Sequence, residues 1–340
     1  MSKRLIFSDL HLHPFLYGST TTETGYNSRL WSQWLVIQEM IQDAVKCGVK
    51  HAYFGGDLFH VHGTISVEAM SIASAMFKSL RANGIKIRAI PGNHDLYDKA
   101  GKINALSFLA DEEISGEWPD DDGLKVSALP YTSDVDVLKK FLGRVGDDGD
   151  EHLVLLHQGV LDVPLGSGWV INEILKPDMI PDNAMAFTGH YHQYSNVSPN
   201  LTVIGNLNPL DWNDCDRNKG WLIWDEETNL IERRLQTRAP RFMSWSQDRI
   251  LGDSASLKGN FVRYTDPVTQ DEQIEIRKAL IDAGALSVEF PVVKIAGEVK
   301  TIQATEDDSV NKLVQQFDER ESGRRAEVGL DIRKGEYNNV

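Results

Sequence analysis

Cysteine is scarce in this chain. Cys47 and Cys215 are its only two in 340 residues, too few and too separated for a disulfide framework, which excludes the small stapled secreted classes. Long apolar runs are missing too. None approaches the roughly 18 residues needed to cross a bilayer, so no membrane association is expected. Lys3-Arg4 leads at once into a strand and an acid, which is not the pattern of a signal peptide. The cytoplasm is therefore the expected compartment. Basic charge is also short: 35 Lys and Arg stand against 50 Asp and Glu, a net −15. A chain that lives on nucleic acid unaided usually shows a basic face, because phosphate neutralisation supplies most of its non-specific affinity. The acid runs Asp120-Asp121-Asp122 and Asp147-Asp148-Gly149-Asp150-Glu151 read as solvated loops. Bound divalent cations would offset acidic charge at a site.

What is present is an ordinary globular composition, 41% hydrophobic and 25% charged, in a chain long enough for a core domain and a smaller appendage. Lys3 to Ser8 reads as a buried strand ending at Asp9. Ser28 reads as the cap of a helix carrying Leu30, Trp34, Ile37, Ile41 and Val45, stopped at Gly48. Val49 to Phe54 is a second strand, Ser66 opens a second helix ended by Asn83-Gly84, and Ile85 to Ile90 is a third strand. That alternation signals βαβ units and an α/β fold. Further strands are predicted at 126–129, 153–156 and 184–188. Residues 203–205, 220–224 and 230–235 are spaced like an antiparallel meander. Pro240 and a Ser/Asp/Gly-rich stretch mark a boundary over 238–256. Beyond it a strand at 260–264, a helix at 272–283 and a strand at 286–293 suffice for a small α+β unit. From Ser309, Val310, Leu313, Val314 and Phe317 follow helical spacing, and the tail after Arg320 is polar. The expected domains are thus 1–240, 257–300 and a C-terminal segment 305–340.

Five strand-end loops deliver acids, histidines or asparagine: Asp9-Leu10-His11, Gly55-Gly56-Asp57-Leu58-Phe59-His60, Gly92-Asn93-His94-Asp95, His157, and Gly189-His190-Tyr191-His192. Taken singly, each is an ordinary turn or a core histidine. Jointly they are not, because six of the ten histidines fall in these loops, each after an apolar strand. His13, His51, His62 and His152 are assigned to surface or packing. Two glycines let the chain turn tightly before Asp57, whose two oxygens can bridge two cations. Hydrolysis of a phosphate ester needs its oxygens neutralised and a water made nucleophilic near neutral pH. Two cations about 3.5–4 Å apart do both. Nitrogen and oxygen donors without thiolate suit Mn²⁺, Fe²⁺ or Zn²⁺, and Asn93 supplies an oxygen without adding charge.

In this order the motifs D-L-H, G-G-D, G-N-H-D, a lone strand-end His and G-H-Y-H resemble the calcineurin-like metallophosphoesterase superfamily, over about Lys3 to Leu235. The resemblance implies a four-layer α/β/β/α sandwich. It implies one cation on Asp9, His11, Asp57 and His192 and another on Asp57, Asn93, His157 and His190. His94 would protonate the leaving oxygen, with Asp95 orienting its ring. Gly56 to His60 is similar, more narrowly, to the SbcD-type nuclease subunits of double-strand-break repair, in which the extra histidine, here His60, helps place the scissile phosphodiester. The stretch Gly205-Asn206-Leu207-Asn208-Pro209-Leu210, with Asp214-Cys215 and Lys219-Gly220, resembles the same subunits, where it walls the cleft. The small α+β unit matches their capping domain in place and size, and the compact length resembles phage versions. Pro14-Phe15-Leu16 after Asp9 to His13, and Val61 to Thr64 after His60, depart from that pattern. The implied function is a Mn²⁺-dependent DNA nuclease, a 3′-to-5′ exonuclease and single-strand endonuclease. It would act with an SbcC-like coiled-coil ATPase, and a homodimer is a further expected assembly. The alternative is a phosphomonoesterase acting on phosphoprotein or nucleotide.

Overall fold

The computed structural model describes residues 3–97, 103–109, 117–121, 123–161, 163, 173–246 and 257–290. The C-terminal segment 305–340 lies outside the described residues.

Two mixed sheets organise the chain. In the first, the order is β11 (Leu230–Leu235), β10 (Gly220–Asp225), β1 (Lys3–Phe7), β2 (His51–Phe54) and β3 (Lys86–Ala89). The βαβ reading holds here: β1, β2 and β3 are parallel, whereas β10 and β11 run antiparallel. The second sheet has the order β4 (Glu117–Asp121), β5 (Leu124–Leu129), β6 (His152–Leu156), β7 (Ala184–Thr188), β9 (Leu201–Val203) and β8 (Ser195–Ser198). Its four middle strands are parallel and its edges antiparallel. The first strand of the predicted meander, read at 203–205, is β9 at Leu201–Val203 and lies outside that meander. It pairs with β7 and β8 in the second sheet, and only β10 and β11 form the hairpin.

Alternating side chains of each strand go to opposite faces, and this period sorts the core. Leu5 and Phe7 point to one cluster with Leu30, Ile37, Met40, Ala73, Met76 and Phe77 of the helices α1 (Ser28–Lys46) and α2 (Val67–Ala82). Ile6 between them joins Tyr53, Leu153, Leu155, Phe187 and Trp224 in a cluster shared by the two sheets. Val154 and Leu156 turn the other way, onto Leu138, Phe141 and Leu142 of α3 (Val135–Asp148). The sequence reading missed α3, whose Asp134 caps it by accepting from the Asp136 and Val137 N–H groups. Asn27, one residue before the predicted cap, closes α1 by accepting from the N–H groups of Arg29 and Leu30. Ser66 caps α2 as predicted.

A small parallel sheet, β12 (Phe242–Trp245), β13 (Phe261–Tyr264) and β14 (Ser287–Glu289), packs with α4 (Gln270–Asp282) around Trp245, Val262, Tyr264 and Leu280. Here β12 falls within the stretch read as a boundary. Arg29 joins this unit to the main body, its guanidinium lying over the rings of Phe15, Phe242 and Phe261 at 4.7, 5.3 and 5.3 Å. No helix among the described residues is long and apolar enough to cross a membrane.

Candidate metal centre

Because the five motif-bearing strands are parallel within their sheets, and the sheets share a core, their carboxyl ends meet along one edge. The loops after β1 and β2 then run side by side. The N–H groups of Asp9 and His11 donate to the carbonyls of Gly56 and Asp57, at 2.9 and 3.0 Å. Asp9, His11, Asp57 and His190 all hold left-handed backbone, with φ of 53°, 46°, 58° and 82°. Strain of this kind, in residues with side chains, collects where a site demands a particular direction. Gly56 and Gly92 make the close approach possible: a Cβ on Gly56 would lie 2.6 Å from the Gly92 nitrogen and 2.7 Å from His157 Nδ1.

The structure brings all seven predicted ligands together. Asp9, Asp57 and His157 form one buried group, and Asp9, His11 and His192 another, each with its ligand atoms within 4.8 Å. Asn93 Oδ1 lies 3.1 Å from His157 Nε2 and 2.8 Å from His190 Nδ1. His192 Nε2 lies 3.1 Å from His11 Nε2. His157 donates from Nδ1 to the Gly55 carbonyl at 2.6 Å, so in the neutral ring Nε2 is the nitrogen without a proton, and it faces Asp57 at 3.4 Å. That tautomer is the one a cation ligand needs. Burial alone would raise the Asp57 carboxyl, but His157, His11 and His94 outweigh it and hold it far below its usual range. Burial pushes Asp9 up to about 7, against the pull of His157. It also lowers His190 to about 4, with the charge of His157 adding to the effect. His157 is raised to about 9, since Asp57 and Asp9 overcome its burial. Buried carboxylates and imidazoles at such distances, drawn from nitrogen and oxygen donors alone, fit a pair of divalent cations.

One role expected from the resemblance is corrected. Asp95 does not orient the His94 ring. Its carboxylate accepts from the backbone N–H groups of Asp57, Leu58 and Gly92 at 2.8, 3.0 and 2.9 Å, so it shapes the loop that carries Asp57. The ring of His94 is held instead by Nδ1 donating to the His60 carbonyl at 2.7 Å, and the backbone N–H of His94 donates to Asp57 Oδ1 at 2.8 Å. The first turn after Gly92 is tight, and a carboxylate two positions before Tyr97 reaches back to free N–H groups sooner than to a neighbouring ring. Replacing Asp95 by Ala should cost about 1–3 kcal/mol for each buried N–H left unpaired. Urea denaturation would measure it, and an unchanged midpoint would show that Asp95 does not hold the loop.

Four further residues stand at the site. Tyr131, at the end of β5, sets its ring 5.6 Å from His190 and 6.3 Å from His157. Its strand-end position was the available signal. Glu173 Oε1 lies 3.8 Å from His190 Nε2, and nothing in its sequence context announced it. His13 and His62 also stand here, His62 exposed as the surface reading has it, with rings 5.4 Å from His60 and 4.7 Å from His94. The stretch from Gly205 to Lys219 stands behind His192: Lys219, buried and paired with Asp214 at 2.5 Å, donates to the His192 carbonyl at 2.8 Å.

A cluster of this kind at the strand ends of an α/β sandwich defines a metal-dependent phosphoester hydrolase. Residues 2–198 match the model of the calcineurin-like phosphoesterases, and the chain belongs to that family. It is 26% identical over 208 residues to exonuclease subunit 1 of Enterobacteria phage T4. That match covers 58% of this chain and 59% of the relative's own length. A dimetal phosphatase from Danio rerio shares 9% identity with a TM-score of 0.46, covering 70% of this chain and 96% of that one, a likeness too loose to build on.

Proposed function

We propose that the protein is a dinuclear DNA nuclease, hydrolysing phosphodiesters as a 3′-to-5′ exonuclease and single-strand endonuclease. The observation that carries this over other phosphoester chemistry is the place of His60. Its ring stands 5.5 Å from His11 and 5.8 Å from His94, beside the proposed ligands and beyond what the cations need. The phage relative's name, an exonuclease subunit, supports the same reading.

In it, Asp9, His11, Asp57 and His192 hold one divalent cation, and Asp57, Asn93, His157 and His190 the other, Mn²⁺ being the proposed metal. Bound there, the pair would supply charge neutralisation at the phosphoryl oxygens and an acidified water. His94 supplies the proton. Its Nδ1 is committed to the His60 carbonyl, so the imidazolium form presents N–H at Nε2 to the leaving oxygen. His60 positions the polymer for attack. The unit around β12 to β14 is the proposed cap. A coiled-coil ATPase of the SbcC kind, docked through residues 305–340, would supply DNA affinity that a net charge of −15 does not. We place the protein in the cytoplasm.

The alternative, a phosphomonoesterase on phosphoprotein or nucleotide, draws its support from that same acidic charge. His60→Ser separates the two. DNA cleavage should fall about 10²-fold, the scale on which a misplacement of about 1 Å is felt, whereas a small aryl diester needs no such placement and should lose far less. Equal losses on both substrates would favour the phosphatase.

A further inference from the structure

His11 belongs to two groups at once. One holds Asp9 and His192, and the other His60 and His94, again with ring nitrogens within 4.8 Å of one another. The second group contains imidazoles only. We infer that His11, His60 and His94 form a third, inhibitory site for a borderline transition cation, Cu²⁺ or Zn²⁺, overlapping the hydrolytic pair at His11.

Three observations carry this. The rings converge, with His11 edge-on to His60 and His94 at 76° and 90° and centroids 5.5 and 4.8 Å away. His94 Nδ1 donates to a carbonyl, which can only accept, so the neutral ring keeps a free electron pair at Nε2. Finally, the Nδ1 atoms of His11 and His60 are buried with no hydrogen-bond partner, and His11 is itself 1% exposed. Buried imidazole nitrogens without partners are uncommon, and a cation satisfies them. Around the triad stand His62, stacked on His94 at 4.7 Å, and His13, 5.4 Å from His60. Neither has a place in the hydrolytic reading.

Donor chemistry decides which ions enter. Carboxylate and amide oxygens suit Mn²⁺, whereas an all-nitrogen set favours Cu²⁺ and Zn²⁺, which lie above Mn²⁺ in the general affinity order. Mn²⁺ therefore loads the Asp57 pair, and His11 must leave that pair before it can complete the triad. A cation in the triad occupies His94 Nε2, the proton donor, and draws His11 from its carboxylate partners. Hydrolysis stops on both counts.

The inhibition rests on the hydrolytic reading above, but the binding does not, so the test reads binding first. Cu²⁺ is titrated into the full-length Mn²⁺-loaded protein and followed by electron paramagnetic resonance. One tight equivalent with hyperfine coupling to three imidazole nitrogens is expected. His60→Gln should remove one coupled nitrogen and weaken that equivalent by at least about tenfold, the loss that even outer partners of a metal ligand cause. His152→Gln, whose ring pairs with Asp148 at the start of β6, the end away from His157, should change neither. Hydrolysis of a small diester should decline with the same midpoint, and in His60→Gln that midpoint should rise relative to the variant's own uninhibited rate. Cu²⁺ binding unaffected by His60→Gln, or a spectrum with carboxylate oxygen in place of the third nitrogen, would overturn the site. A diester that is never hydrolysed, beside intact Cu²⁺ binding, would count against the hydrolytic reading alone.

Discussion

Asp57→Asn is expected to leave the protein folded but without hydrolysis, and with both cations weakly held. Asp57 reaches a ligand of each group through one oxygen: His11 Nε2 lies 3.6 Å and His157 Nε2 3.4 Å from its Oδ2. Asparagine keeps an oxygen for the His94 N–H but lacks the second oxygen and the charge. Two cations about 4 Å apart without the bridging charge repel each other, and buried sites screen that repulsion poorly. The loss should reach about 10⁴-fold or more, the scale on which removing one member of a set that acts together is felt. Metal content after dialysis and diester turnover are the two readouts. Full occupancy by two ions, or turnover near that of the parent, would end the assignment of Asp57 as the bridge.

The second large effect separates proton transfer from metal binding. His94→Ser should retain both cations, since no proposed ligand is lost, yet reduce DNA cleavage by about 10²–10⁴-fold, the usual contribution of a positioned acid. The deficit should shrink for an aryl diester, because a phenolate leaves without needing a proton as urgently as the sugar alkoxide of DNA. An equal deficit on both substrates would mean that His94 acts on the phosphoryl group and not on the leaving oxygen. A lost cation would make it a ligand.

The local order of residues was enough for much of this molecule. Apolar runs ending in Asp-Leu-His, Gly-Asp, Gly-Asn-His-Asp, a lone His and Gly-His-Tyr-His are short-range patterns. They marked β1, β2, β3, β6 and β7 and the loops after them, since a largely buried parallel strand is mostly apolar and stops where polar groups gather. All seven proposed ligands were legible for the same reason. The helix α3 was not, because its core face is four residues, Leu138, Phe141, Leu142 and Val145, set among charges and two glycines. The strand β9 was assigned to the wrong neighbours, because three residues cannot announce which sheet they will join.

Which groups touch within the site was decided only by the tertiary structure. Sequence adjacency suggested that Asp95 serves His94, but the carboxylate finds three backbone N–H groups closer, two in the loop after β2 and one in its own, and buried N–H groups must be paired. His13 and His62 follow their motifs by two residues and looked like surface. The paths of the loops after β1 and β2 carry them to His60 and His94. By itself the sequence determined which side chains stand at the strand ends, because strand, turn and ligand are neighbours in the chain. The pairing of those side chains depends on how two sheets stack and where their loops cross, and distances of that kind are set by packing between segments from 37 to 181 residues apart.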